Sequence, residues 1–176
     1  MSRYPAPLIA LHWLTALAIV TAYVTSGNPA KAKDVFDAVM GQVHVISGLA
    51  VFALVALRIP ARLLLGVPPT VPAPSWQTRA AYAAHVALYG LMLLVPLAGW
   101  AALADKTTVF TLIGGFSLPL PDPHATWVKL LGDAHQTLGN VFIWLAGLHA
   151  AAALMHHIVM RDTTLVRMLP LKALSR

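Results

Sequence analysis

The 176-residue chain contains no cysteine and no glutamate. Without thiols there are no disulfides, no iron–sulfur clusters and no thiolate metal ligands, and composition says nothing of the redox compartment. Charge of either sign is scarce. Only 10% of residues are charged, against about a quarter in soluble domains, which excludes an ordinary soluble fold. Long Ser/Gln/Glu-rich tracts of the disordered kind are also missing. The formal net charge is +6, but the basic residues stand at the ends of apolar runs and not in a patch. That distribution argues against nucleic acid and for membrane topology.

What the chain does contain is long charge-free stretches. Residues 4–30, 38–57, 80–104 and 134–160 each lack Asp, Glu, Lys and Arg. A helix needs about 20 apolar residues to cross the hydrocarbon core, and backbone polar groups in lipid must be satisfied within the segment. The runs therefore predict helices over about 6–26, 38–58, 80–104 and 133–160. The fold expected is an all-α membrane protein, a four-transmembrane-helix bundle forming a single domain over 1–176. No internal repeat or linker divides it. Only Arg3 precedes the first run, whose apolar part is longer than a signal-peptide core, so it reads as a retained helix.

An even number of spans puts both termini on one side. That side would hold Arg3, Arg58, Arg62, Arg79, Arg161, Arg167, Lys172 and Arg176, and the other Lys31, Lys33, Lys106 and Lys129. Eight against four places both termini in the cytoplasm by the positive-inside rule, in a bacterial inner membrane. The connection 58–79 carries five prolines and reads as extended, with no further helix. The connection 105–133 is long enough to be functional, with a short surface helix over 124–133.

Histidines are the unusual feature of the spans. Titratable residues inside a membrane are costly and mark function. His12 lies near the cytoplasmic start of the first helix, His44 and His135 near the external starts of the second and fourth. His149 follows His135 by fourteen residues, about 21 Å deeper and within about 40° of the same face. Two layers result: His44 with His135 outside, His12 with His149 inside. Two imidazoles at one depth can clamp a flat macrocycle, and haem iron with both axial positions filled favours electron transfer. The residue one turn beyond each is small: Ala16, Gly48, Gly139 and Ala153. Small residues also pack membrane helices, and a lone membrane histidine commonly bonds a neighbouring helix. Zinc would want a compact tetrahedral set with acidic or thiolate ligands, which pairs about 20 Å apart do not offer.

His156 lies seven residues beyond His149 on the same face. It either bonds a quinone carbonyl or haem propionate, or faces headgroups. His85 sits at the depth of His12, as an alternative ligand or as a partner of a propionate, a quinone or another helix. His157 points elsewhere and reads as interfacial, and His124 in the external loop carries no signal. Trp13, Tyr23, Trp76, Tyr82, Trp100 and Trp127 fall near the interfaces, as amphipathic rings do.

Several stretches carry a resemblance: LHWL around His12, QVHVISG around His44, AHVALYGLMLLVPLAGW in the third helix, AHQTLGN and GLHAAAALMHH in the fourth, and the ending RDTTLVRMLP. Over almost its whole length the chain resembles bacterial cytochrome b561, small di-haem proteins of the inner membrane that act as superoxide oxidases. The His135–His149 spacing and HAAAALMHH are specific, whereas LHW is shared with haem-b subunits of hydrogenases and formate dehydrogenases. The resemblance implies two haem b, with axial ligands at His12, His44, His135 and His149. It also implies electron transfer from superoxide at the outer face to ubiquinone in the membrane. His156 is the candidate quinone contact, with Arg161 and His85 behind it. The external charges, four lysines against five aspartates, give superoxide no net attraction. Two other classes stay open: a haem-b electron-transfer subunit anchoring a partner enzyme, and a haem-free transporter or scaffold.

Overall fold

Proline and aspartate set where the helices begin. The computed structural model describes residues 3–26, 32–69, 71–104 and 108–170. Lys31, Asp105, Lys106, Lys172 and Arg176, used above for topology, lie outside these. Helix α1 (Ala6–Val24) starts behind Pro5, with a second proline in its first turn, where a missing N–H leaves no bond unmade. Helix α2 (Val35–Leu65) is capped by Asp34, whose carboxylate accepts the Asp37 amide at 2.8 Å. It ends at Gly66, whose φ of 70° is open to glycine and strained for most other residues. Helix α3 (Ser75–Leu103) follows Pro74, and α4 (Thr126–Ile158) follows Ala125.

The four expected spans are present, and all four helices are long and apolar enough to cross a membrane. The chain is a four-helix membrane bundle. Its boundaries differ from the expected ones in an instructive way. The connection 58–79 is not extended throughout: α2 runs on through Arg58, Pro60 and Arg62 to Leu65, and α3 has begun by Ser75. The expected surface helix over 124–133 is the first part of α4 itself. Charged residues end a stretch that lipid tolerates, but they do not end a helix. At about 1.5 Å per residue, α4 reaches roughly 50 Å, well beyond the hydrocarbon core. Helix α1 stops slightly early, at Val24.

Between α3 and α4 the structure adds a hairpin that the sequence reading lacked. Strands β1 (Val109–Thr111) and β2 (Ser117–Pro119) pair antiparallel, turning at Gly114 and Gly115, both with positive φ. Gln42 of α2 grips the hairpin at the Thr111 carbonyl and the Ile113 amide, and the Trp100 indole donates to the Pro119 carbonyl. At the opposite end the start of the described chain meets residues 166–169. Arg3 donates to the carbonyls of Val166 and Leu169, and Trp13 to that of Met168. Arg167 reaches across to the Pro69 carbonyl. The two ends are called here the hairpin end and the terminal end.

Helix α1 packs on α2 and α3 on α4, while α1 and α4 touch little. A small core of Val51, Val55, Leu88, Met92 and Phe142 joins the pairs. Phe142 stands seven residues from both His135 and His149, so this apolar plug lies midway between the two histidine levels. Large apolar side chains such as Leu17, Leu57, Trp144 and Leu154 point outward and are exposed. Such a surface would aggregate in water and is suited to acyl chains.

Candidate functional site

The fold brings the sequence-derived pairs together. His44 of α2 and His135 of α4 face each other at the hairpin end, with ring centroids 5.9 Å apart and planes at 77°. His12 of α1 and His149 of α4 do the same toward the terminal end, at 6.4 Å and 76°. A metal bonded to two imidazole nitrogens at about 2 Å each needs centroids roughly 6 Å apart, which both pairs meet. His85 of α3 also approaches His149, but at 5.4 Å it is closer than that span allows. Geometry thus favours His12 over His85 as the partner of His149.

The pair at the hairpin end is oriented by backbone. His44 Nδ1 lies 2.7 Å from the carbonyl of Ala22, and His135 Nδ1 lies 3.1 Å from that of Val95. A carbonyl only accepts, so both Nδ1 atoms carry the proton and both Nε2 atoms keep a lone pair. Such anchoring of the distal ring nitrogen accompanies metal-ligating histidines. Ala22 is in the last turn of α1, where carbonyls lack intrahelical partners, so the His44 ring satisfies a group that would otherwise be orphaned.

A cavity of about 890 Å³ opens beside this pair, at the upper end of the range for small-molecule sites. Gly48 and Gly139 line it, and a Cβ added at either would meet nothing within 4 Å. This is the flat approach to backbone that a macrocycle requires. Gly99 does a different job: a Cβ there would stand 2.9 Å from His135 Cε1, so this glycine makes room for the ring itself. Asp133, Gln136, Asn140 and Ser26 are among the polar residues of the lining, and no described lysine contributes to it.

With this geometry in view the chain can be compared with known proteins. Residues 3–171 match the family of prokaryotic cytochrome b561. The chain is 32% identical to cytochrome b561 homolog 1 of Escherichia coli K12 over 174 residues, covering 97% of this chain and 98% of the relative. It is also 32% identical to the probable superoxide oxidase CybB of Yersinia pestis, over 97% of both chains. Cytochrome b562 of Cereibacter sphaeroides is again 32% identical, over 92% of this chain and 91% of its own length.

The chain belongs to the prokaryotic cytochrome b561 family.

A cytochrome b561 is a membrane electron-transfer protein, and membership implies haem b. The residues at the hairpin end fit that group in donor chemistry, in pair spacing and in the glycine-lined void. Among the described residues no group of three or more His or Asp could hold a metal ion in the manner of a zinc site.

The remaining candidates fall out as follows. His156, in the last turn of α4, has Nδ1 at 2.5 Å from Asp162 Oδ2. The chain reverses at Arg161, the one non-glycine among the described residues with positive φ, 54°, and this brings Asp162 back onto α4. Asp162 Oδ1 accepts the Thr164 amide at 2.8 Å. Burial acts to raise the Asp162 carboxyl, but the hydrogen bonds from His156 and Thr164 outweigh it and hold the carboxyl below the usual carboxylate range. Arg161 itself is exposed, as are His157 and His124, the last with its amide on Asp122. Sequence reasoning missed Asp162 and Gly99, as well as the carbonyls of Ala22 and Val95. RDTT after a run of helix was a signal for the first. Nothing in the string marks the carbonyls.

Proposed function

We propose that this cytochrome b561 holds two haem b, one iron between His12 and His149 and the other between His44 and His135. We propose further that it oxidises superoxide at the hairpin end and reduces ubiquinone at the terminal end, as a single-domain protein of the bacterial inner membrane with both termini cytoplasmic. The observation that carries the haem assignment is the pairing of imidazoles at 5.9 and 6.4 Å, with the hairpin-end pair held by carbonyls at Nδ1. The substrate assignment draws support from the relative named a probable superoxide oxidase. Orientation draws support from the arginines gathered at the terminal end.

When bound, each haem supplies a reversible one-electron couple, and filled axial positions disfavour oxygen binding. The net reaction balances as two superoxide anions, one quinone and two protons giving two dioxygen molecules and one quinol. The chain's part at the terminal end is to bind the quinone and deliver protons. Asp162 accepts the hydrogen bond from His156 Nδ1–H, which leaves Nε2 as the free ring atom, and in the imidazolium form Nε2–H donates to a quinone carbonyl or a propionate oxygen. His85 and Arg161 are further contacts of the same kind. At the hairpin end the anchored rings of His44 and His135 hold their Nε2 atoms without reorganisation.

One observation favours a second reading. The cavity at the hairpin end carries the carboxylate of Asp133 and no described lysine, which would repel a small anion. A haem-b subunit that takes electrons from a docked partner would not need a cationic mouth. The test is a reduced-minus-oxidised spectrum of the detergent-purified protein with haem and protein quantified, followed by superoxide as reductant with quinone present. Two b-type haems per chain and quinol formed at half the rate of superoxide consumption support the first reading. Reduction by an isolated redox partner and none by superoxide would transfer the assignment to the second. A colourless protein that refuses added haem would sink both and restore the haem-free class.

A further inference from the structure

Arg58 is a cation without a counter-charge among the described residues, set beside the histidine pair at the terminal end. It follows His44 by fourteen residues on α2, the same interval that separates His135 from His149 on α4. At about 1.5 Å per residue it therefore reaches the depth of the second layer, on nearly the same face as His44. The structure bears this placement out. The guanidinium is half-buried and interacts electrostatically with His12, His85 and His149. It lies over the ring of Tyr89 of α3, 5.7 Å from the centroid.

Among the described residues Arg58 makes no ion pair. The acids at the hairpin end are far away, and Asp162 is committed to His156 and Thr164. Arg62, one turn further along α2, adds a second positive charge nearby. Tyr89 contributes an independent sign: its hydroxyl is buried and has no hydrogen-bond partner. Buried polar groups are ordinarily satisfied, and buried cations are ordinarily paired. A guanidinium over a phenol whose O–H has no acceptor, with no acid paired to the guanidinium among the described residues, describes a receptor for an anion with two oxygens.

We propose that Arg58 and Tyr89 clamp a propionate carboxylate of the macrocycle held by His12 and His149. This rests on the haem reading above. No described residue provides an acid here, and the propionate supplies that charge. Arg58 also sets the redox poise of that centre, since a fixed positive charge disfavours the ferric over the ferrous state.

The experiment uses holoprotein from cells fed 5-aminolevulinate labelled with ¹³C at C1, which places the label in the haem carboxylates. Redox-difference infrared spectra are recorded across the potential step of each centre in the wild type, Arg58→Gln and Tyr89→Phe. The labelled carboxylate bands of one centre should shift in both variants. The midpoint potential of that centre should fall in Arg58→Gln while the other stays. Labelled bands and potentials that match the wild type in Tyr89→Phe and Arg58→Gln would overturn the clamp, and a lipid phosphate band perturbed in their place would identify the actual counter-ion. If Arg58→Gln does not fold, Arg58→Lys and Tyr89→Phe carry the band readout, since lysine keeps the charge but not the fork that grips two oxygens, and labelled bands unmoved in both would overturn the clamp. Two haems per chain with unmoved bands sinks the clamp alone, whereas wild-type protein without haem sinks the reading beneath it.

Discussion

Replacing Gly99 with alanine adds one carbon to α3, and the structure says where it goes. The new Cβ would stand 2.9 Å from His135 Cε1, 3.3 Å from Nδ1 and 3.5 Å from Nε2. Carbon atoms rest about 3.5–4.0 Å apart, so the ring must retreat by roughly 0.6 Å to reach even the lower bound. It cannot do so freely, because Nδ1 is tied to the Val95 carbonyl at 3.1 Å. Overpacking of this sort costs about 1–3 kcal/mol. Alanine recovers about 1 kcal/mol of helix propensity over glycine, leaving a net cost of up to about 2 kcal/mol. If that strain falls on the ligand position, the haem at the hairpin end binds about 30-fold more weakly. The assay is haem transfer from the detergent-purified variant to excess apomyoglobin, followed in the difference spectrum. One centre should leave faster and the other should keep its wild-type rate. Gly48→Ala is the companion, since its Cβ meets nothing within 4 Å of protein. It should leave the fold unharmed and still weaken the same centre, because only a bound macrocycle occupies that space. Both variants holding two haems with wild-type transfer rates would refute the placement of the macrocycle between these rings.

Removing an imidazole should be selective by level: His44→Ala or His135→Ala should give one haem per chain, with the His12–His149 centre intact in the difference spectrum. Loss of that second centre in place of the first would overturn the pairing. His156→Ala should retain both haems and slow quinone reduction by about 10²–10⁴-fold if the ring delivers protons; unchanged quinone kinetics would remove it from the site. The His156–Asp162 contact has a definite pH sign. The Asp162 carboxyl is held below its ordinary range, so its contribution to stability is present above that range and is lost as pH falls through the lowered folded value. Thermal unfolding of Asp162→Asn should therefore differ from wild type near neutrality and converge with it only in strong acid. A difference that persisted there would contradict the charge-based account.

The number of spans, their class and the two histidine levels were legible in the linear chain. Lipid imposes a length and a ban on charge that composition reports directly, and a helix converts the fourteen-residue interval into a depth and a face. The family resemblance sharpened this, and the family match agrees with it. Helix ends were less legible. Arg58, Pro60, Lys129 and Asp133 mark the edge of what the hydrocarbon tolerates, whereas α2 and α4 continue past them in a medium where charge is welcome.

Tertiary structure alone decided who stands next to whom. That His12 meets the spacing to His149 and His85 does not, that Gly99 vacates space for His135, and that the carbonyls of Ala22 and Val95 aim the rings all depend on contacts between helices. These pairs are tens of residues apart and leave no periodic trace. The same holds for Asp162, which reaches His156 because the backbone reverses at Arg161, and for Arg58, whose interval from His44 could be counted but whose place over Tyr89 could not. Hydropathy and spacing specify depth along one helix; lateral neighbours are set by packing, where each side chain's partner lies on another part of the chain.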